Sequence, residues 1–144
     1  MTGSTPFLIE NYANFKRSLK KLVKTYKSQS QKQEFIRVIS KHLEELIINP
    51  YPPKAKFEPL PSGLKLPDEW QFYKLVLTIA KGTSGQIRLM YLVDEKQRVI
   101  KPLWIYNHQQ FEKRPPDGDI KDVIQEIFEE KYIDRETTKN QIVA

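Results

Sequence analysis

The chain has 144 residues, 39% of them hydrophobic, and 24 Lys or Arg against 18 Asp or Glu give a formal net charge of +6. That length suits one compact domain around a single core and leaves little room for two. The absence of cysteine excludes disulfides and cysteine-ligated metal, and no apolar run approaches the roughly 18 residues of a membrane span.

The first segment, Met-Thr-Gly-Ser-Thr-Pro, lacks the basic and long apolar stretches of a secretory signal, so a soluble, cytoplasmic protein is expected. From about Glu10 to Lys27, Phe15, Leu19, Leu22, Val23 and Tyr26 recur at helical spacing. The other faces of this helix carry Lys16, Arg17, Lys20, Lys21, Lys24 and Lys27, for which a solvated surface is the simplest role. A second helix, about Gln31 to Ile48, stacks Phe35, Val38, Ile39, His42, Leu43, Leu46 and Ile47 on one stripe and ends at Asn49-Pro50. The short Ser28-Gln29-Ser30 connection predicts an antiparallel helical hairpin, with His42 as a packing histidine.

Residues 49–70 are rich in proline and read as an extended connection, tacked to the core by Leu60, Leu64, Leu66 and Trp70. Three apolar runs follow. In the first, Tyr73, Leu75, Leu77 and Ile79 alternate with Phe72, Lys74, Val76 and Thr78. In the second, Ile87, Leu89, Tyr91 and Val93 share one face, and Arg88 is the only charge among Met90 and Leu92 on the other. The third, Val99 to Tyr106, contains Pro102, which has no N–H and belongs at an edge, a strand start or a bulge. Lys81-Gly82-Thr83-Ser84-Gly85 and Asp94-Glu95-Lys96-Gln97 are turn-like, so an antiparallel meander is expected, with Lys74 and Arg88 on one sheet face. After Pro115-Pro116, Asp117 or Asp119 can cap a last helix whose apolar stripe is Ile120, Val123, Ile124, Ile127 and Phe128. The expected domain runs over residues 7–133, with a poorly ordered tail at 134–144.

Charge is uneven. Residues 7–54 hold ten Lys or Arg against four Asp or Glu, and residues 117–136 hold three against eight. A basic body attracts polyanions, although many proteins without a nucleic-acid partner share it. Two histidines in all, and no pair of acidic or histidine ligands at metal spacing, speak against a metal enzyme. No helix-turn-helix, zinc-finger or basic-zipper pattern suggests sequence-specific reading of DNA.

Four short motifs carry a resemblance to a known family: FKRSLKKL at Phe15 to Leu22, Leu-Pro-Ser-Gly-Leu at Leu60 to Leu64, FYKL at Phe72 to Leu75, and IRLMYLVDE at Ile87 to Glu95. In these, and in the order helix, helix, link, meander, helix, the chain resembles the RelE/ParE-like toxins of type II toxin–antitoxin systems. The resemblance implies an α+β fold: an N-terminal helical hairpin packed on a small, mainly antiparallel sheet, with a C-terminal helix. It also implies an mRNA endoribonuclease without cofactor, acting in some members on the ribosome and neutralised by a cognate antitoxin. The alternatives are a ParE-like gyrase poison and a catalytically inactive RNA- or protein-binding module, since fold does not choose among them.

Carried over by motif, Arg88 would stabilise the phosphate and Lys74 would clamp or help activate it. His108 would act as acid or base, its ordinary pKa being about 6.5. Tyr106, Lys113 and Arg114 would bind RNA. The chain departs from the family pattern in two places: Val76 stands where a second lysine is expected, and Tyr106-Asn107-His108-Gln109 replaces a lysine–arginine cluster. Several candidates also have a structural alternative: Arg88 as partner of Glu126 or Glu130, Tyr106 and His108 as residues that close the strand on loop backbone, and Lys113 and Arg114 as a solvated loop.

Overall fold

The computed structural model describes residues 5–79 and 86–133. The elements are β1 (Leu8–Ile9), α1 (Ala13–Lys24), α2 (Gln29–Ile48), β2 (Ala55–Phe57), β3 (Trp70–Thr78), β4 (Gln86–Asp94), β5 (Val99–Asn107) and α3 (Asp117–Ile133). The fold is α+β, as expected. The glycine-bearing turn between β3 and β4 and the tail at 134–144 lie outside the described residues. Among the described residues no helix is long and apolar enough to cross a membrane.

The three long strands form the expected antiparallel meander, but the sheet has five strands in the order β1-β5-β4-β3-β2. β1 pairs in parallel with β5, and β2, which lies inside the proline-rich connection, pairs antiparallel with β3. The connection is therefore partly sheet, not merely extended. Its leucines behave as expected, since Leu60, Leu64 and Leu66 pack against the core beside Trp70. Pro102 sits at a bulge: Met90 faces Trp104 and Tyr91 faces Pro102, so Leu103 is the extra residue.

The alternation in β3 and β4 creates two cores, one on each sheet face. On one face Tyr73, Leu75, Leu77, Ile87, Leu89, Tyr91 and Val93 pack against Phe15 and Leu22 of α1 and Phe35, Ile39 and Leu46 of α2. On the other, Phe72, Met90, Leu92 and Tyr106 pack against Ile120, Ile124 and Ile127 of α3. Lys74 and Arg88 share the parity of this second face.

The helices are closed by side chains that sequence reading places nearby. Ser28 caps α2: its Oγ accepts from the Gln31 N–H at 3.0 Å, and Gln31 Oε1 accepts from the Ser28 N–H at 3.2 Å. This capping starts α2 at Gln29, two residues before the expected start. Lys32 Nζ donates to the carbonyls of Val23 and Tyr26, placing a cation at the negative end of α1. α1 leans mainly on β5. There Ser18 Oγ accepts from the Ile105 N–H at 3.0 Å, and Asn14 Nδ2 donates to the Leu103 carbonyl at 2.9 Å. These two bonds cover the β5 edge beyond the reach of the two-residue β1.

One buried charge cluster has no counterpart in the sequence reading. Lys101 Nζ, 1% exposed, lies 3.0 Å from Glu10 Oε1 and 2.6 Å from the Tyr12 hydroxyl. It also lies 4.6 Å from the Tyr12 ring centroid and 5.2 Å from that of Trp70. The ion pair and the aromatic faces together make burial of this ammonium tolerable.

Candidate functional site

Strand pairing assembles the site. Val76, Arg88 and Tyr106 are neighbours across β3, β4 and β5, and Lys74 lies diagonally from Arg88 on the same face. Diagonal neighbours on an antiparallel pair stand about 7–8 Å apart. α3 covers the part of this face that bears Phe72, Met90 and Leu92. Beside it lies a cleft of about 520 Å3, lined by Glu58, Pro59, Lys74, Lys113, Arg114 and Asp117.

Arg88 is the unusual member. It is half-buried, and its Nη1 is fully buried with no hydrogen-bond partner among the described residues. No ion pair to Glu126 is formed; Glu126 is exposed on α3, and the side chain of Glu130 lies outside the described residues. A buried, unmet guanidinium donor is costly, so its presence calls for a ligand or another purpose.

Lys74 does have a partner. Its Nζ lies 3.5 Å from Oε1 of Glu58, whose side chain is 7% exposed. Arg114 Nη1 donates to the other carboxylate oxygen of Glu58 at 2.9 Å and to the Pro59 carbonyl at 2.7 Å. Nη2 and Nε of Arg114 reach Asp117 Oδ1 at 2.8 and 3.2 Å. Burial by itself would lower the guanidinium pKa, but the bonds to Asp117 and Glu58 outweigh it and leave it raised. Arg114 thus fastens the Pro115-Pro116 loop to the chain leaving β2. Asp117 is drawn into this clamp, and the backbone N–H groups of Asp119 and Ile120 are met by the Pro116 carbonyl.

Tyr106 is wholly buried, and its hydroxyl donates to the Lys113 carbonyl at 3.2 Å. Burial raises its pKa, Glu58 adds to the rise, and Arg88 and Arg114 oppose it, so the phenol stays protonated as a donor. It therefore lies beneath the site surface and holds the loop that presents Lys113, whose side chain is exposed. His108 is exposed in the turn after β5, and no hydrogen bond or ion pair joins it to the cluster. That turn is closed instead by Asn107 and Gln110, which bond reciprocally at 2.9 and 3.0 Å. His42 is half-buried, with Nδ1 3.4 Å from Glu45 Oε1 on the same helix.

The structure thus brings together Lys74, Arg88, Tyr106, Lys113 and Arg114, and leaves His108 at the margin. Sequence reading missed Glu58, because only the pairing of β2 with β3 shows that it faces Lys74. Among the described residues no group of three or more His, Asp or Glu side chains could hold a metal ion.

No protein-family model and no curated protein matches the chain. Solved structures similar to the chain include the following three. RelE in the archaeal RelE–RelB complex from Pyrococcus horikoshii is 14% identical at a TM-score of 0.45, covering 72% of this chain and 96% of its own. A doubly substituted E. coli toxin RelE in the free state is 19% identical at 0.43, covering 75% and 90%. A conserved hypothetical protein from Helicobacter pylori is 21% identical at 0.37, covering 72% and 97%.

Proposed function

We propose that this protein is the toxin of a toxin–antitoxin pair, acting in the cytoplasm as a metal-independent mRNA endoribonuclease at the cleft lined by Lys74, on the sheet face that also bears Arg88. Two observations carry the proposal: Arg88 shares a sheet face with Lys74 and has a buried Nη1 without a partner among the described residues, and Lys74, Lys113 and Arg114 line one open cleft. The family resemblance of the β3 and β4 motifs points the same way.

Cleavage of RNA needs the 2′-hydroxyl deprotonated, the extra negative charge on phosphorus stabilised, and a proton delivered to the departing oxygen. In this scheme the Glu58 carboxylate takes the 2′-hydroxyl proton. The 2′-oxygen then attacks phosphorus, the bond to the 5′-oxygen breaks, and a 2′,3′-cyclic phosphate is left. Arg88 and Lys74 hold the phosphate oxygens, with Arg88 contributing most because Lys74 is already paired with Glu58. His108 protonates the departing 5′-oxygen. Lys113 binds a flanking phosphate, while Tyr106 and Arg114 position the loop that carries it. A cognate antitoxin covers the basic surface until it is removed, and the ribosome is the setting in which mRNA reaches the cleft.

A non-catalytic RNA- or protein-binding module is the second reading. It is favoured by the two cations tied up by Glu58 and by Val76, which leaves Arg88 without a second lysine beside it. Primer-extension mapping of mRNA ends after brief induction tests the choice, with growth followed in parallel for wild type and Arg88→Ala. New cuts and arrest that vanish in the variant support the nuclease. Arrest with intact mRNA points to a gyrase-type target, and neither effect points to a binding module.

A further inference from the structure

A second pocket, of about 350 Å3, opens at the β5 edge between α1 and the turn after β5. Its aromatic wall is Trp104 and Phe111, its amides are Asn14 and Gln110, and Arg17 and Lys21 of α1 stand at its rim. Phe111 links this pocket to Tyr106, the tyrosine that holds the Lys113 loop: its ring meets Trp104 edge-on at 5.7 Å and Tyr106 at 5.6 Å. Trp104 precedes Tyr106 by two residues on the same strand face, about 6–7 Å along it. Arg17 and Lys21 are both exposed and one helical turn apart, so two cations project over one aromatic wall.

The polar groups are arranged to read a planar ligand. Asn14 Nδ2 is spent on the Leu103 carbonyl, which leaves its Oδ1 as an acceptor. Gln110 Oε1 is spent on the Asn107 N–H, which leaves its amino group as a donor. One acceptor and one donor beside two aromatic rings match the edge and face of a nucleobase, and two cations match the phosphates on either side of it.

We infer that this pocket binds one unpaired nucleotide of single-stranded RNA next to the nucleotide held in the cleft lined by Lys74 and Lys113. The base stacks on the Trp104 ring with Phe111, perpendicular to it, against the base edge, and the adjoining phosphates lie against Arg17 and Lys21. This rests on the RNA-cleaving reading for its neighbour, but its own chemistry is stacking and charge, neither of which requires cleavage. It gives the basic face of α1 a partner and makes the protein a reader of unpaired RNA.

The test uses the full chain and two fluorescent hexamer probes, a 2′-O-methyl RNA that cannot be cut and its abasic counterpart, with binding followed by anisotropy across salt. Wild type is expected to prefer the base-bearing probe about tenfold, the scale of one stacked base. Trp104→Leu should erase that preference. Since Trp104 also touches the core, Arg17→Gln/Lys21→Gln on the exposed helix face serves as the second variant. It should lower the slope of log affinity against log salt by about 1.4, the loss expected for two phosphate contacts to a single strand. Equal binding of both probes by wild type, or a slope unchanged in the double variant, overturns the inference even if the protein cuts mRNA. A base preference lost in Trp104→Leu, in a wild-type protein that never cuts RNA, upholds the pocket and removes only the nuclease.

Discussion

Arg88→Met should make the protein more stable and less active at once. The substitution keeps an apolar stem on β4 beside Val76 and Tyr106 and removes the buried Nη1 that has no partner. An unmet buried donor costs about 1–3 kcal/mol. Because the rest of the Arg88 side chain is only half-buried, the lower end applies, and a gain of about 1 kcal/mol is expected. For a domain of this size that corresponds to about 4 °C in Tm by thermal unfolding. Loss of one preorganised donor to the transition-state oxyanion should meanwhile lower cleavage by about 10²–10³-fold, or about 3–4 kcal/mol of barrier. The two assays, thermal unfolding and cleavage of an RNA oligomer by the purified protein, should therefore move in opposite directions. If Arg88→Met lowers stability by more than about 1 kcal/mol, the guanidinium is a structural strut and the argument from its unmet donor fails. If cleavage persists undiminished, Arg88 is not in the site.

Glu10→Gln should destabilise by about 3 kcal/mol in denaturant unfolding, because it removes the Glu10 carboxylate that lies 3.0 Å from the buried Lys101 ammonium. Replacing Glu10, Tyr12 and Lys101 together by Leu, Phe and Met should recover most of that loss; no recovery would mean that the cluster is net stabilising. Glu69 adopts φ 81° just before Trp70, so Glu69→Gly should raise stability by about 0.5 kcal/mol, and a fall would show that its side chain matters more than its backbone strain. Tyr91 is wholly buried, with its hydroxyl donating to the Pro50 carbonyl at 2.7 Å; burial raises its pKa, helped by Tyr73 and Tyr51. The folded state keeps a proton that the unfolded tyrosine releases above about pH 10, so this contribution is complete below pH 10 and declines as pH rises further. Tyr91→Phe should lower stability by about 1 kcal/mol at neutral pH and flatten the alkaline decline in Tm. An unchanged alkaline slope would refute the assignment.

Local periodicity alone determined the elements that are long enough to display it. The two-residue alternation of β3 and β4, the apolar stripes of the helices and the exceptional charge of Arg88 are all properties of neighbouring residues, and each is legible without the fold. Pro102 is a similar case, because its missing N–H restricts where any sheet can accept it, and a bulge is one of those places. β1 and β2, with two and three residues, are too short to show a period, and their pairing depends on partners far along the chain. That pairing decides the site. β2 carries Glu58 to Lys74 and Arg114, and the loop after β5 returns to lie over Tyr106, turning an apparent surface tyrosine into a buried support for Lys113. Charge and patterning along the sequence could nominate Lys74 and Arg88, but only long-range strand registry could show that Lys74 has a counter-ion in Glu58 and that Arg88 has none among the described residues.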